Sequence, residues 1–540
     1  MNAAPRPVLV AAAAVLGLLV LCLLGQDNLG SNEAGKLALA LQQVRPDWNP
    51  SDWYLNTPQH YQWLFQQFAG HLLQTLGIAW GSLAVRLAGY GIWAWATAQL
   101  FLALGVSPGL GLGAIALFLL DQSLIAREWM VGSGEPKTFA YASLILAFLA
   151  WTRRSPGLLG WWSGLACSFH VLVGGYGSLA LAAATWIRQS DWGRNQWWRL
   201  LIGSGLGLAP LLTVLLRGAL AQSSVPMTGL PEGISATWIY TYLRNPHHLD
   251  PASWSSADWG SAILWLALFC VATLLSRRDC THQGRTRQQL ALWTALTLIP
   301  FGAGLCISLC DQQGVWLRFY PFRVADSLVP LTTILLLSGE IQRRFKRVGS
   351  PLGISLALII AIQQCGGWLP SWGERWSAGF QPDPDKQVLY SWIRSNSIAG
   401  ATILSPPAGF EDLALLTGRA VVGQFKQVPN RSVDVSDWFV RMQDLGGDQQ
   451  FWRRSRGLQA RKKLSLGYQQ LTPDHLKQLS KRYSAHIMIT GSNQEGPTGW
   501  SRRLHTPSWD AWSPIQSTHP TSPSTGRAGQ RDARPKPTSS

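Results

Sequence analysis

The chain has 540 residues, with 45 Lys and Arg against 28 Asp and Glu for a formal charge of +17, and 29 tryptophans, yet only 14% of it is charged. Ordinary soluble domains are about 25% charged, and the apolar residues here are gathered into long uncharged blocks, so the bulk of the chain is not built for water. The positive charge is no nucleic-acid footprint either, because residues 371–540 carry 22 basic and 13 acidic residues without a finger, homeodomain or RNA-recognition motif.

The composition therefore predicts a polytopic α-helical membrane protein. Residues 7–25 are the first apolar span, a retained anchor preceded by Arg6 and followed by no small-residue cleavage site. Further apolar blocks lie at 77–104, 109–126, 138–151, 157–186, 200–220, 260–276, 288–310, 324–338 and 350–369. The block at 157–186 is too long for one span and too short for two full ones, and it is interrupted by His170 and by Gly174 to Gly177. It reads as a tight helical pair that turns between His170 and Gly177. The expectation is thus about 11 membrane segments within residues 1–370.

Basic residues orient them. Arg153 and Arg154, then Arg188, Arg194 and Arg199, then Arg277, Arg278, Arg285 and Arg287, then Arg343, Arg344, Lys346 and Arg347 fall in alternate short connections. Such loops stay cytoplasmic. The long loops 26–76 and 221–259 are then outer, as is everything after 371. The expected location is the cell inner (plasma) membrane. The seven cysteines are scattered through or beside apolar segments and read as small buried hydrophobes.

From 371 the pattern changes to alternating short strands (401–407, 420–425, 486–490) and helices, which predicts a small extracytoplasmic α/β domain over 371–490 with three parallel strands. No glycine-rich phosphate cradle follows any of these strands. Residues 491–540 have no periodicity and read as a disordered tail.

Several polar groups are candidates for chemistry. Asp27 stands at the outer end of the first span and Glu33 six residues on, a pair able either to hold a divalent cation or accept a proton, or simply to cap and solvate. Asp47 and Asp52 sit among Trp48, Trp53 and Tyr54, rings suited to the headgroup level or to stacking on a ligand. Arg86 lies about nine residues into its span, where a charge calls for a carboxylate partner, a water-filled cavity or an anion. Glu128 and Glu135 flank a short outer loop. Arg318 and Arg323 bracket another, five apart, a pair able either to clamp a pyrophosphate or simply to anchor the segment at the membrane interface. His247, His248 and Asp250 form no metal-ligand spacing.

The amino-terminal span running into QDN…NEAG (26–35), the many further spans and a soluble domain on the same side resemble the polytopic glycosyltransferases of the C-type fold, which use lipid-linked sugars. WIRSNSIAGATILSPP, LTGRAVVGQFKQVP, DWFVRMQDL and PFRVADSLVP resemble, more narrowly, a bacterial membrane-protein family common in cyanobacteria with no assigned biochemical function. The resemblance implies transfer of a sugar from a polyprenyl phosphate to an acceptor at the outer face, in contact with membrane lipid. It implies an acceptor-activating or metal-binding role for Asp27, a second acidic position at Glu128 or Glu135, and phosphate binding at Arg323 or Arg318, with Arg86 a further phosphate candidate. Asn28 stands where several members carry Glu, which leaves Glu33 as the substitute in any Mg or Mn site. The competing class is a non-enzymatic transporter, flippase or envelope-assembly scaffold.

Overall fold

The structure, a computed structural model, describes residues 5–24, 29–57, 60–189, 191–220, 230–345, 349–365, 383–447 and 450–515. Its membrane part is built from α1 (Pro5–Leu19, continued by a π turn Val20–Leu24), α3 (Trp63–Ala103), α4 (Pro108–Leu120), α5 (Pro136–Thr152), α6 (Pro156–Phe169), α7 (Val171–Arg188), α8 (Arg194–Leu220), α11 (Ser256–Ser276), α12 (His282–Ser308), α13 (Arg323–Arg344) and α14 (Gly349–Cys365). Between them lie α2 (Ser31–Val44), α9 (Ala236–Trp238) and α10 (Pro246–Leu249).

Each expected apolar block contains a helix, but only seven helices among the described residues are long and apolar enough to cross a membrane: α1, α3, α7, α8, α11, α12 and α13. The others are shorter. α4 has 13 residues, α5 17, α6 14 and α14 17, about 20–26 Å of helix against a hydrocarbon layer of about 30 Å. Of the about 11 membrane segments expected, seven are thus long enough for a full crossing and four are short. α5 explains how a short helix serves, since every residue from Pro136 to Trp151 is buried by protein. Around it, α7, α8, α11, α12 and α14 turn large apolar side chains outward, among them Leu179, Leu216, Ile263, Ile299 and Ile362. An apolar belt of that extent matches lipid and not water. The chain is a large, mostly helical, multi-pass membrane protein with a small sheet-containing domain at its carboxyl end.

Two local predictions are refined. The long helix α3 is broken at Gly77, whose φ of +77° interrupts the helical backbone. Its first part precedes the expected apolar block, and the span begins where expected. The α6–α7 turn is a single extended residue, His170 (φ −151°). Ser178 Oγ donates to the Ser163 carbonyl at 3.3 Å, so the two helices run back alongside one another. Gly174 lies inside α7, where a Cβ would meet Cys167 N at 2.2 Å.

The carboxyl-terminal domain contains α15 (Pro384–Asn396), β1 (Thr402–Leu404), α16 (Leu413–Thr417), β2 (Ala420–Val421), α17 (Ser432–Leu445), α18 (Gly457–Gln469), α19 (Pro473–Arg482), β3 (Ala485–Gly491), β4 (Trp500–His505) and β5 (Trp509–Pro514). The expected three parallel strands are present, with β2 and β3 both paired parallel to β1. The sheet is larger, however, with order β2-β1-β3-β5-β4 and antiparallel pairing of β5 to both β3 and β4. The disordered tail expected from 491 is corrected here: an ordered hairpin occupies 500–514. Its strands carry Arg502, Arg503 and Asp510 and show no apolar run, so only the free edge of β3 reveals them. Residues 516–540 of that expected tail lie outside the described residues.

The domain shares apolar cores with α2, the start of α3 and the segment 236–243. Leu389, Phe410 and Leu413 pack with Leu37, Leu41 and Phe65, and Trp438, Phe439 and Tyr468 pack with Ile239 and Leu243. Asp52 ties them further, its Oδ2 accepting from Val421 N of β2 at 3.0 Å.

Candidate functional site

The loop 121–135 between α4 and α5 is polar and would be expected to fray, but it is held at both ends. At one end, Asp326 in the first turn of α13 accepts from Ser123 Oγ (2.7 Å), Ile125 N (2.7 Å), Ala126 N (2.7 Å) and Glu128 N (2.9 Å). At the other, Glu33 of α2 accepts from Gly134 N at 2.8 Å and from Arg86 Nε (2.7 Å) and Nη2 (2.5 Å). Gly134 is required there, because a Cβ would stand 2.8 Å from Glu33 Oε1. In the middle, Gln122 Oε1 accepts from Met130 N and Val131 N. The loop is therefore a fixed support.

What it supports is Glu128. Arg323, the first residue of α13, donates through Nε to Glu128 Oε1 at 2.7 Å, and its Nη2 stands in ion-pair contact with the same oxygen, also at 2.7 Å. Its Nη1 lies 3.3 Å from His170 Nε2, and since a guanidinium only donates, that ring nitrogen is the acceptor. The ring of Tyr320 lies under the guanidinium, 3.7 Å from centroid to Cζ, held there by a left-handed backbone (φ 54°) that is uncommon outside glycine. Lys137 Nζ stands 3.6 Å from Glu128 Oε2 and 4.0 Å from Glu135 Oε2. Burial opposes the charge on Glu128, but the facing Arg323 and Lys137 outweigh it and hold the carboxyl well below the usual carboxylate range. Glu128 Oε2 is buried without a hydrogen-bond partner.

These groups line a polar cavity of about 150 Å³, together with Lys36, Tyr61, Tyr240, Arg244, His248 and, from the carboxyl-terminal domain, Lys426 and Asn430. Five cationic side chains face two carboxylates. Burial, with Arg323 and Lys36 adding to it, keeps His170 well below its ordinary value, and burial lowers His248 to about 4 against the pull of Glu128, so both rings are neutral at pH 7. Among the described residues neither Lys36 nor Arg244 enters an ion pair, and Arg244 Nε is buried without a hydrogen-bond partner. The cavity has room for negative charge. Through Tyr61, His170, Tyr240, Tyr320 and Arg323 it adjoins a mainly apolar groove of about 420 Å³ walled by Val171, Leu172, Leu215 and Phe319.

Glu128, Glu135 and Arg323, expected from the sequence, are thus brought together. Arg318 stands on the apolar groove, with its Nε buried and unpartnered. Glu33 and Arg86 are elsewhere. They are paired with each other, 0% and 1% exposed, and neither lines the cavity, so Arg86 meets a carboxylate and not a phosphate. Asp27 lies outside the described residues. His248 is spent on the Ala126 carbonyl, 2.6 Å from its Nδ1. Among the described residues no group of three His, Cys, Asp or Glu is gathered, and Asp27, the expected metal ligand, lies outside them.

Sequence reasoning passed over Asp326, Lys36, Lys137, Arg244, Tyr320 and Lys426. For Asp326 a signal existed, since it lies three residues after Arg323 in FRVAD and so one helical turn along the same face.

A domain of unknown function, DUF6798, matches residues 384–445. No curated protein matches the chain in sequence. Among solved structures, ArnT from Cupriavidus metallidurans bound to undecaprenyl phosphate aligns over 95% of this chain and 99% of its own, with 11% identity and a TM-score of 0.43. Similarity at that level leaves the function to be argued from the residues.

Proposed function

We propose that the chain transfers a sugar from a polyprenyl-phosphate donor to an acceptor on the outer side of the membrane. The observation that carries this reading is the position of Arg323, where a cation-rich cavity meets an apolar groove. A ligand that satisfies both is an amphiphile with a phosphate head. The groove is walled partly by α7 and α8 and takes the isoprenoid, and the phosphate lies by Arg323, Lys137 and Lys36. The cavity sits at the helix ends opposite Arg153, Arg154, Arg277 and Arg278, and the positive-inside bias puts those loops in the cytoplasm. That makes the cavity and the carboxyl-terminal domain extracytoplasmic.

In the reaction, an acceptor oxygen attacks the anomeric carbon and forms the new glycosidic bond. The bond from that carbon to the phosphate oxygen breaks, and its electrons leave on the polyprenyl phosphate. The fixed cations stabilise the charge that develops there. The acceptor proton passes to a carboxylate and then to water. Glu128 is a poor base because its neighbours keep it ionised, but its Oε2, beside Lys137 and without a hydrogen bond, is the oxygen left to orient a hydroxyl. Asp27 is the proposed base. Glu33 and Arg86 are assigned to each other as supports of the loop that carries Glu128.

The test is polyprenyl-phosphate affinity in nanodiscs. Arg323→Lys keeps a charge beside Glu128 but loses the forked donors, and about tenfold weaker binding is expected. Equal affinity would reject the phosphate contact. Incubation with a labelled polyprenyl-phosphate sugar separates the classes: a transferase releases polyprenyl phosphate when an acceptor is present, whereas a transporter moves the donor intact and a scaffold does neither.

A further inference from the structure

The cavity has two neighbouring openings at the surface, and their walls differ. The apolar groove is formed partly by membrane helices, with Val171 and Leu172 from α7 and Leu215 from α8. A second cleft, of about 500 Å³, lies between the outer-loop residues around Pro246–Trp254 and the carboxyl-terminal domain, and no residue of a membrane helix lines it. Arg244 and Lys426 line both the cavity and this cleft.

The cleft is strongly cationic. Arg127, Arg244, Lys426, Arg456 and Arg461 line it, and no carboxylate does. Three of the guanidiniums are paired with carboxylates that do not line the cleft: Arg456 Nη1 reaches Asp250 at 2.7 Å, Arg461 Nη2 reaches Glu411 at 2.8 Å, and Arg127 stands 3.7 Å from Asp258. Each anchor engages one nitrogen of a five-donor fork, which orients the group and leaves donors over. Burial lowers His247 to about 3, so it adds a neutral hydrogen-bonding ring and no charge.

We infer that this cleft binds the anionic group, phosphate or carboxylate, of a water-borne acceptor and leads its nucleophile past Arg244 into the cavity. That the ligand is an acceptor rests on the transferase reading; that the cleft takes an anion does not. A lipid-borne acceptor would enter through the groove, whose wall includes the membrane helices α7 and α8. An acceptor arriving from water meets the cationic cleft first, and steering by such a patch raises its local concentration.

The experiment titrates inorganic pyrophosphate, and separately malonate, into the full chain in nanodiscs already saturated with polyprenyl phosphate. The wild type is expected to bind at least one of them, and the tighter of the two identifies the acceptor's anion as phosphate or carboxylate. Arg456→Gln with Arg461→Gln should weaken that binding about tenfold or more, while polyprenyl-phosphate affinity stays unchanged. Arg127→Gln, at a side chain 66% exposed, tests the same cleft without touching a packed residue and should weaken it severalfold. Lipid-saturated wild type that binds neither anion, or cleft variants that bind like wild type, would overturn the inference. Failure of polyprenyl phosphate to bind, with anion binding still sensitive to the cleft variants, would instead remove the transferase reading and leave the anion site standing.

Discussion

Replacing Asp326 by Asn tests whether the outer loop is a built part of the site. The carboxylate accepts two backbone donors at Oδ1, from Ile125 and Ala126, and Glu128 N with Ser123 Oγ at Oδ2. An amide of the same shape has one oxygen. Its best orientation keeps the Ile125 and Ala126 bonds, without the help of the negative charge, and sets an NH2 against Glu128 N. The Ser123 hydroxyl can turn to accept, but the Glu128 amide cannot. One lost charge-assisted bond at a buried group and two weakened ones come to about 2–4 kcal/mol. That is an increase of about 30- to 700-fold in opening of the loop. Hydrogen exchange of the 123–131 amides should accelerate by at least about 30-fold, and polyprenyl-phosphate affinity should fall because Glu128 no longer holds Arg323. Amides of α5 should keep their protection. Exchange within a few-fold of wild type at 123–131 would refute the clamp.

Three further outcomes are expected. Glu33→Gln leaves Arg86 charged and buried, so the thermal midpoint should drop by the equivalent of about 3–5 kcal/mol, and Glu33→Gln with Arg86→Met should recover most of it; a double variant no better than the single one would show that the pair is not the cause. Burial raises Asp52 to about 6, against backbone bonds from Leu55 and Val421. Its folded value lies above its unfolded one, so the fold favours the protonated form and stability falls as pH rises from about 4 through 6. Lowering the pH from 7 to 5 should therefore stabilise the seat between the outer loop and the domain by about 1 kcal/mol, an increment that Asp52→Asn should abolish in melting curves. Reporter fusions after Arg287 and after Trp392 should give opposite signals; the same signal from both would reject the topology.

The sequence alone determined that this is a helical membrane protein, where its apolar segments run and which connections are basic, because each property is local: an apolar run in lipid must satisfy its own backbone, and only a helix does so within one segment. It also placed Glu128, Glu135 and Arg323 among the candidates. Length within the membrane was not local. α5 is short because protein buries it entirely, and α4 stops at Leu120 because 121–126 turn back to meet Asp326. The β4–β5 hairpin escaped notice because its strands need the edge of β3, not an apolar pattern of their own. Charge pairing was the other decision left to the tertiary structure. Glu33 and Arg86 are 53 positions apart, and Glu128 and Arg323 are 195 apart. A carboxylate's role depends on which cation the fold carries to it, since burial forbids an unpaired charge. That is why two similar acid–base pairs in one sequence divide into a loop support and the floor of a cavity.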